Sequence, residues 1–203
     1  KEEKCCGDSA RRLGNEYLFD KMAKENVALF KERKISKIIT QCPHCFSTIK
    51  NDYRQYGLEI EVIHHAELIQ QLLKDQRIKP DKQVTELGSI IYHDSCYLGR
   101  HNDIYAQPRE VIEKVTGKAP KEFTRNRDNG FCCGAGGGRM WMEEHTGERI
   151  NNTRVSEALK ESPDTICVAC PYCMTMFEDG VKDLGAQNVR VRDIAEVLAE
   201  GLR

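Results

Sequence analysis

A duplication marked by cysteine constrains this chain more than any other feature. Cys6-Gly7 recurs as Cys133-Gly134 at an offset of 127, and Cys42-Pro43-His44-Cys45 recurs as Cys170-Pro171-Tyr172-Cys173 at 128. A repeat at fixed spacing dictates architecture before any single segment is read. After each Cys-Pro-x-Cys, apolar residues return at helical intervals: Phe46, Ile49, Tyr53 and Tyr56 in one copy, Met174, Phe177, Val181 and Leu184 in the other. Gly57 and Gly185 then stand where glycine commonly ends a helix. A strand and an amphipathic helix follow in each copy, 59–63 with Leu68, Ile69, Leu72 and Leu73, then 188–191 with Ile194, Val197 and Leu198. Short apolar strands at 37–40 and 165–168 precede the two Cys-Pro-x-Cys turns.

Strands alternating with helices predict parallel sheets. The expected fold is therefore α/β: two tandem, duplicated modules, each a parallel sheet flanked by helices, related by a pseudo-twofold. The first module is placed at 1–80 and the second at 89–203. The stretch 81–88, around Lys79-Pro80-Asp81-Lys82, is read as the linker. The second copy carries a further strand-turn-helix, 89–93 into Asp94-Ser95-Cys96, with Pro108 starting a helix that carries Val111, Ile112 and Val115. Its counterpart of Cys96 in the first copy would fall at position −31 of this numbering. The chain opens on Lys1 and enters Cys5-Cys6-Gly7 at once, and so reads as a processed or excised piece whose first copy is truncated.

Ten cysteines in 203 residues need a chemical reason. No charged, apolar and cleavable leader opens the chain, so free thiolates are favoured over disulfides. In the complete copy Cys96, Cys132, Cys133, Cys170 and Cys173 place five thiols on three loops. Open parallel sheets bind ligands at the edge formed by the strands' carboxyl ends, so the three loops are expected to converge there. A tetrahedral zinc site takes four ligands, and an adjacent pair plus a fifth thiol suits it poorly. Iron-sulfur clusters, held by thiolates and containing several irons, use more. Zinc and coincidental burial are the weaker readings.

These motifs resemble the cysteine-rich CCG domains of the heterodisulfide reductases, in their B-type component, and of related iron-sulfur oxidoreductases. The resemblance covers essentially the whole chain. It implies that Cys96, Cys132, Cys133, Cys170 and Cys173 hold a non-cubane [4Fe-4S] cluster. Cys5, Cys6, Cys42 and Cys45 match a second motif without its leading cysteine, a site for a distorted or incomplete cluster, for zinc, or for nothing. The stretches CCGDSARRLGNEYLF, YHDSCYLGRHNDIYAQPREV and NGFCCGAGGGRMWMEE look like the C-terminal region of membrane-bound iron-sulfur oxidoreductases coupled to electron-transfer flavoprotein. That likeness implies electron relay from the flavoprotein towards menaquinone. It also implies other redox subunits or domains as partners, and a cytoplasmic location at the inner membrane face through haem-binding and ferredoxin-like segments of a parent protein. The alternatives are disulfide reduction at the cluster, as in heterodisulfide reductases, and a zinc-stabilised interaction module without redox chemistry.

The remaining residues exclude other classes. With 31 Lys and Arg against 32 Asp and Glu, no basic field exists for nucleic acid or anionic lipid. No run approaches the roughly 18 apolar residues of a membrane span. Gly134–Gly138 lacks the sixth glycine of a dinucleotide loop, which is Arg139, and no Gly-Lys-Ser/Thr follows. No serine-histidine-aspartate set or paired carboxylates stand out for hydrolysis, so no residue is assigned as catalytic. Cys167, with Ile39 as counterpart, reads as a small buried hydrophobe. His44, His64, His65 and His93 read as helix-start residues or supports behind ligands rather than ligands. Arg11, Arg12, Arg100, Arg109 and Arg139 either offset cluster charge or form a solvated face, and Trp141 reads as core or an interface anchor.

Overall fold

The computed structural model describes residues 4–142 and 146–202. Every strand pairing in it is parallel. In the first half a short helix α1 (Asp8–Arg12) follows the double cysteine and leads to α2 (Glu16–Glu32). The Asn15 side chain caps α2 by accepting the Leu18 amide at 3.0 Å. Phe19, Ala23, Val27 and Phe30 recur every three or four residues, so they form one buried stripe along α2. Strand β1 (Lys37–Thr40) runs through Cys42 into α3 (Pro43–Asn51), and β2 (Glu61–His64) pairs with β1 and feeds α4 (His65–Lys74). Pro43 and Pro171 each take the first helical position, where a missing N–H costs nothing.

The second half contains β3 (Ile90–Tyr92), α5 (Ala106–Thr116), β4 (Lys121–Glu122), α6 (Ile150–Lys160), β5 (Thr165–Val168), α7 (Pro171–Asp183), β6 (Arg190–Asp193) and α8 (Ile194–Gly201). Its sheet has the order β4-β3-β5-β6. The chain moves from β3 to β4 on one side and then returns to β5 on the other, so the strand order reverses between β3 and β5. Connections leave such a point on opposite faces and open a crevice at the strands' carboxyl ends. Accordingly α5 packs with α8 on one face and α6 with α7 on the other. The loops that follow β3, β4 and β5 carry Cys96, the Cys132-Cys133 pair and Cys170 respectively.

Strand alternation sorts the core. Ile166 and Val168 of β5 join Phe177, Val155 and Val181 on the α6/α7 face, while Cys167 between them joins Val197 and Leu198 on the α8 face. That second cluster also takes in Phe19, Phe46 and Tyr53 of the first half, so both halves share one hydrophobic core. Val84 and Leu87, from the stretch joining the halves, are buried within it.

Several boundaries differ from the sequence reading. β2 and β6 begin two residues later than 59 and 188, because each turn keeps the chain irregular until it reaches the sheet edge. Beyond Gly185 the offset also grows to 129 through one extra turn residue. His64 and Asp193 are therefore the equivalent positions, and each is the N-cap of a capping box closed by Glu67 or Glu196. A uniform offset of 128, which would set His64-His65 opposite Arg192-Asp193, is therefore one residue short here. The first helix after Cys-Pro-x-Cys ends at Asn51, and a tighter 3-10 turn, Asp52–Tyr56, carries buried Tyr53 to Gly57, whose φ of 69° only glycine adopts readily. Leu184 ends α7 rather than extending its buried stripe and is 39% exposed. α5 starts at Ala106, two residues before Pro108.

His64 ties acid stability to this frame. Its Nδ1 accepts the Ala66 amide at 3.3 Å, so Nε2 carries the proton that it donates to the Gln41 carbonyl at 2.9 Å. Burial, aided by neighbouring His65, pushes its pKa down to about 3 from the ordinary 6.5. Between those values the unfolded chain binds a proton that the folded chain refuses, so stability falls as pH falls through this window. The urea midpoint is expected to drop between pH 7 and pH 5. His64→Asn, which caps without titrating, should flatten that dependence.

Candidate metal centre

Both double cysteines use one local device. Gly7 and Gly134 follow them with φ of 82° and 96°, in the left-handed region. A Cβ at Gly7 would lie 2.9 Å from Phe19 Cδ2, and one at Gly134 would lie 3.1 Å from Ile150 Cβ. Each turn folds the glycine amide back onto the preceding thiol: Gly7 N donates to Cys5 Sγ at 3.5 Å and Gly134 N to Cys132 Sγ at 3.2 Å. Cys42 and Cys170 are the N-caps of α3 and α7, and Cys45 and Cys173 lie in the first turns. Amide donors and helix N-termini both favour thiolate over thiol.

Nine of the ten cysteines form one unbroken line of side-chain contacts. It runs Cys5, Cys6, Cys45, Cys42 in the first half, crosses to Cys170, and continues through Cys173, Cys133 and Cys132 to Cys96. The crossing joins repeat equivalents. His44 and Tyr172, also equivalents, meet edge to face beside it with ring centroids 4.6 Å apart. Residues beside a twofold axis contact their own counterparts, so these pairs mark the local axis. All ten cysteines are free thiols. Hydrogen bonds from Cys45 and Cys5 hold Cys6 down to about 4, and bonds from Cys170 and Cys45 hold Cys42 down to about 2. Cys132 is likewise lowered by Cys133 and Cys96, while Cys133 is pushed up to about 12, chiefly by Cys132.

Polar scaffolding that the sequence reading missed fixes these loops. The Arg109 guanidinium grips Asp94 with two bonds of 2.8 Å and Glu122 with bonds of 2.6 and 2.7 Å. Asp94 also accepts the Arg127 amide at 2.7 Å, which clamps the Cys96 loop to the segment leading into Cys132. In the first half Asn26 donates to the Cys5 carbonyl at 3.1 Å and to the Tyr53 hydroxyl at 3.0 Å, and Tyr53 donates to the Cys6 carbonyl at 2.9 Å. The available signals were an asparagine inside the apolar stripe of α2 and an aspartate two residues before Cys96.

Elsewhere the predicted residues separate. Cys167 faces away from the line; its thiol donates to the Val168 carbonyl at 3.8 Å and is pushed up by burial together with Asp193 and Glu196. His44 is sandwiched by Tyr97 and Tyr172, whereas a ring nitrogen of buried His93 lies within 4.8 Å of the Cys133 and Cys173 sulfurs. Burial and the charge of Arg154 hold His93 neutral, with its pKa lowered to about 3. Arg11 and Arg12 pair with Asp52, Arg12 also with Asp8, and Arg100 donates to the Asp128 and Gly130 carbonyls. Trp141 is 68% exposed and so is not core. Glu143 and Glu144, which close one quoted stretch, lie outside the described residues.

The residues fit a thiolate-bound metal group. Ser95 Oγ beside Cys96 is buried without a hydrogen-bond partner, as expected where a further polar group belongs, whereas His44 Nδ1 faces Asp8 Oδ2 at 3.5 Å. Asp94→Ala, which strips Arg109 and the Arg127 amide of a buried anion, should cost about 3 kcal/mol or more. Urea unfolding checks the cost, and hydrogen exchange should show faster opening of the Cys96 loop.

The chain is 45% identical over 202 residues to the probable iron-sulfur-binding oxidoreductase FadF of Bacillus subtilis. It is 46% identical over 206 residues to the EtfAB:quinone oxidoreductase of Syntrophomonas wolfei. Identity is 33% over 207 residues to one component of the dihydromethanophenazine:CoB--CoM heterodisulfide reductase of Methanosarcina barkeri. These alignments cover 99%, 97% and 99% of this chain but 28%, 28% and 50% of the relatives, so the chain spans half or less of their length. The family model of the cysteine-rich CCG domain matches residues 1–50 and 90–178, in both halves of the duplication, and the chain belongs to that family.

Proposed function

We propose that this chain is the electron-transfer part of a larger iron-sulfur oxidoreductase. The two modules of that reading are 1–80 and 89–203, joined by 81–88. Cys96, Cys132, Cys133, Cys170 and Cys173 hold a non-cubane [4Fe-4S] cluster, and Cys5, Cys6, Cys42 and Cys45 form a second metal site. The line of nine thiols carries the reading, because five of them come from three loops at one sheet edge and exceed what a tetrahedral zinc ion uses. Bound there, a cluster supplies one-electron redox chemistry. The chain's own residues supply thiolates, amide donors from Gly7 and Gly134, and a crevice that buries Cys133, Cys170 and Cys173.

The name of the Syntrophomonas relative supports electron-transfer flavoprotein as the donor and a quinone-linked chain as the acceptor. Among the described residues no helix is long and apolar enough to cross a membrane. We therefore assign any membrane attachment to other parts of the parent protein. The likeness to the Methanosarcina heterodisulfide reductase favours a second reading, reduction of a disulfide substrate at the same thiols.

Iron, acid-labile sulfide and zinc per chain, measured on protein purified without oxygen and followed by EPR before and after dithionite, test the proposal. Iron near four or more with a signal that changes on reduction is expected; stoichiometric zinc with no signal would sink it. Cys133→Ser should lose or convert the cluster of the second half, and Cys167→Ser should retain it. Equal loss in both variants would overturn the ligand assignment.

A further inference from the structure

Arg154 is a fully buried arginine on α6 whose charge serves no surface. Its Nε and Nη2 both lie 3.4 Å from His93 Nδ1. A guanidinium only donates and does not lose its proton in a protein, so Nδ1 must present its lone pair. A neutral imidazole in that setting carries its single proton on Nε2. Arg154 is not free to turn away, because Nη1 holds Glu157 at 2.8 Å and the guanidinium lies 3.6 Å from the Phe123 ring centroid. His93 is equally fixed: its ring sits edge-on to Phe177 at 4.8 Å and to Phe123 at 6.1 Å, and its amide donates to the Cys167 carbonyl at 2.9 Å.

The thiols of Cys133 and Cys173 complete a buried trio with this ring. A metal ligand needs a bare nitrogen, and baring Nε2 would move the proton to Nδ1, against the guanidinium. We infer that, with the cluster bound, His93 is a hydrogen-bond donor to the ligating sulfurs of Cys133 and Cys173, through an Nε2 proton that Arg154 holds in place. His93 is thus a positioning residue, and a donor to a ligating sulfur draws electron density from the cluster and raises its potential.

The duplication supports a dedicated role for this helix position. At the offset of 128 Arg154 replaces Asn26, just as buried Asn151, Val155 and Ala158 replace Ala23, Val27 and Phe30. Asn26 steadies the first double cysteine through the Cys5 carbonyl and Tyr53. Arg154 works through His93 on the second.

This inference rests on the iron-sulfur reading, and iron content reports on that reading separately. Pulsed EPR on the iron-loaded, full-length protein, with the cluster poised in a paramagnetic state and histidine labelled with nitrogen-15, should show one weakly coupled nitrogen and an exchangeable proton. A strongly coupled, directly bonded nitrogen would overturn the inference, as would no coupling at all. His93→Phe should shift the cluster's midpoint potential downward without loss of iron. His93→Gln, whose amide can accept from Arg154 and donate to sulfur, should restore part of the shift. A potential unchanged in His93→Phe contradicts the proposal, and the wild-type spectrum decides the case if that variant does not fold.

Discussion

Thiols packed sulfur against sulfur in a crevice are the constraint around which this chain is built. As thiolates they repel one another and lose hydration on burial; as thiols they are weak hydrogen-bond partners for one another. The fold places opposing partial charge wherever it can. Helix N-termini begin at Cys42 and Cys170, and left-handed glycines turn amides onto Cys5 and Cys132. What remains is a demand for positive charge that a metal group would meet, since its binding would draw off the remaining thiol protons.

Duplication solves the geometric half of the problem. One strand-turn-helix unit brings a Cys-Pro-x-Cys turn to a sheet edge, and two such units facing each other bring Cys42 to Cys170. The halves then diverge in what lies behind the cysteines. An asparagine and a tyrosine hydroxyl brace the first pair, whereas an arginine, a histidine and an Asp94–Arg109–Glu122 cluster brace the second. The shared core beneath both halves keeps the two sets of loops in register.

Much of this was legible in the sequence because the repeat itself acts as a second measurement. Strands 37–40 and 165–168 are too short to distinguish from helix alone, yet each validated the other through the 128 offset. Cys167 was separable from the ligand set because its repeat counterpart is Ile39, and the structure adds that alternation along β5 turns it to the far face. The extra residue after Gly185 was not legible, since a turn accepts one more residue without disturbing either flanking pattern. Contacts between halves were equally silent: nothing local to Cys42 or His44 shows that each meets its counterpart. Arg109 left two readings open, cluster-charge partner or solvated face, and Arg154 carried no signal at all, because a buried polar role shows only once the fold places what surrounds the side chain.

Whether these thiols enclose iron and sulfide is tested most directly by X-ray absorption at the iron and zinc edges of the protein as purified without oxygen. Iron with a shell of sulfur neighbours, and a second shell of iron at the short separation of a cluster, is the expected result. Zinc surrounded by four sulfurs, with no metal neighbour, would contradict it.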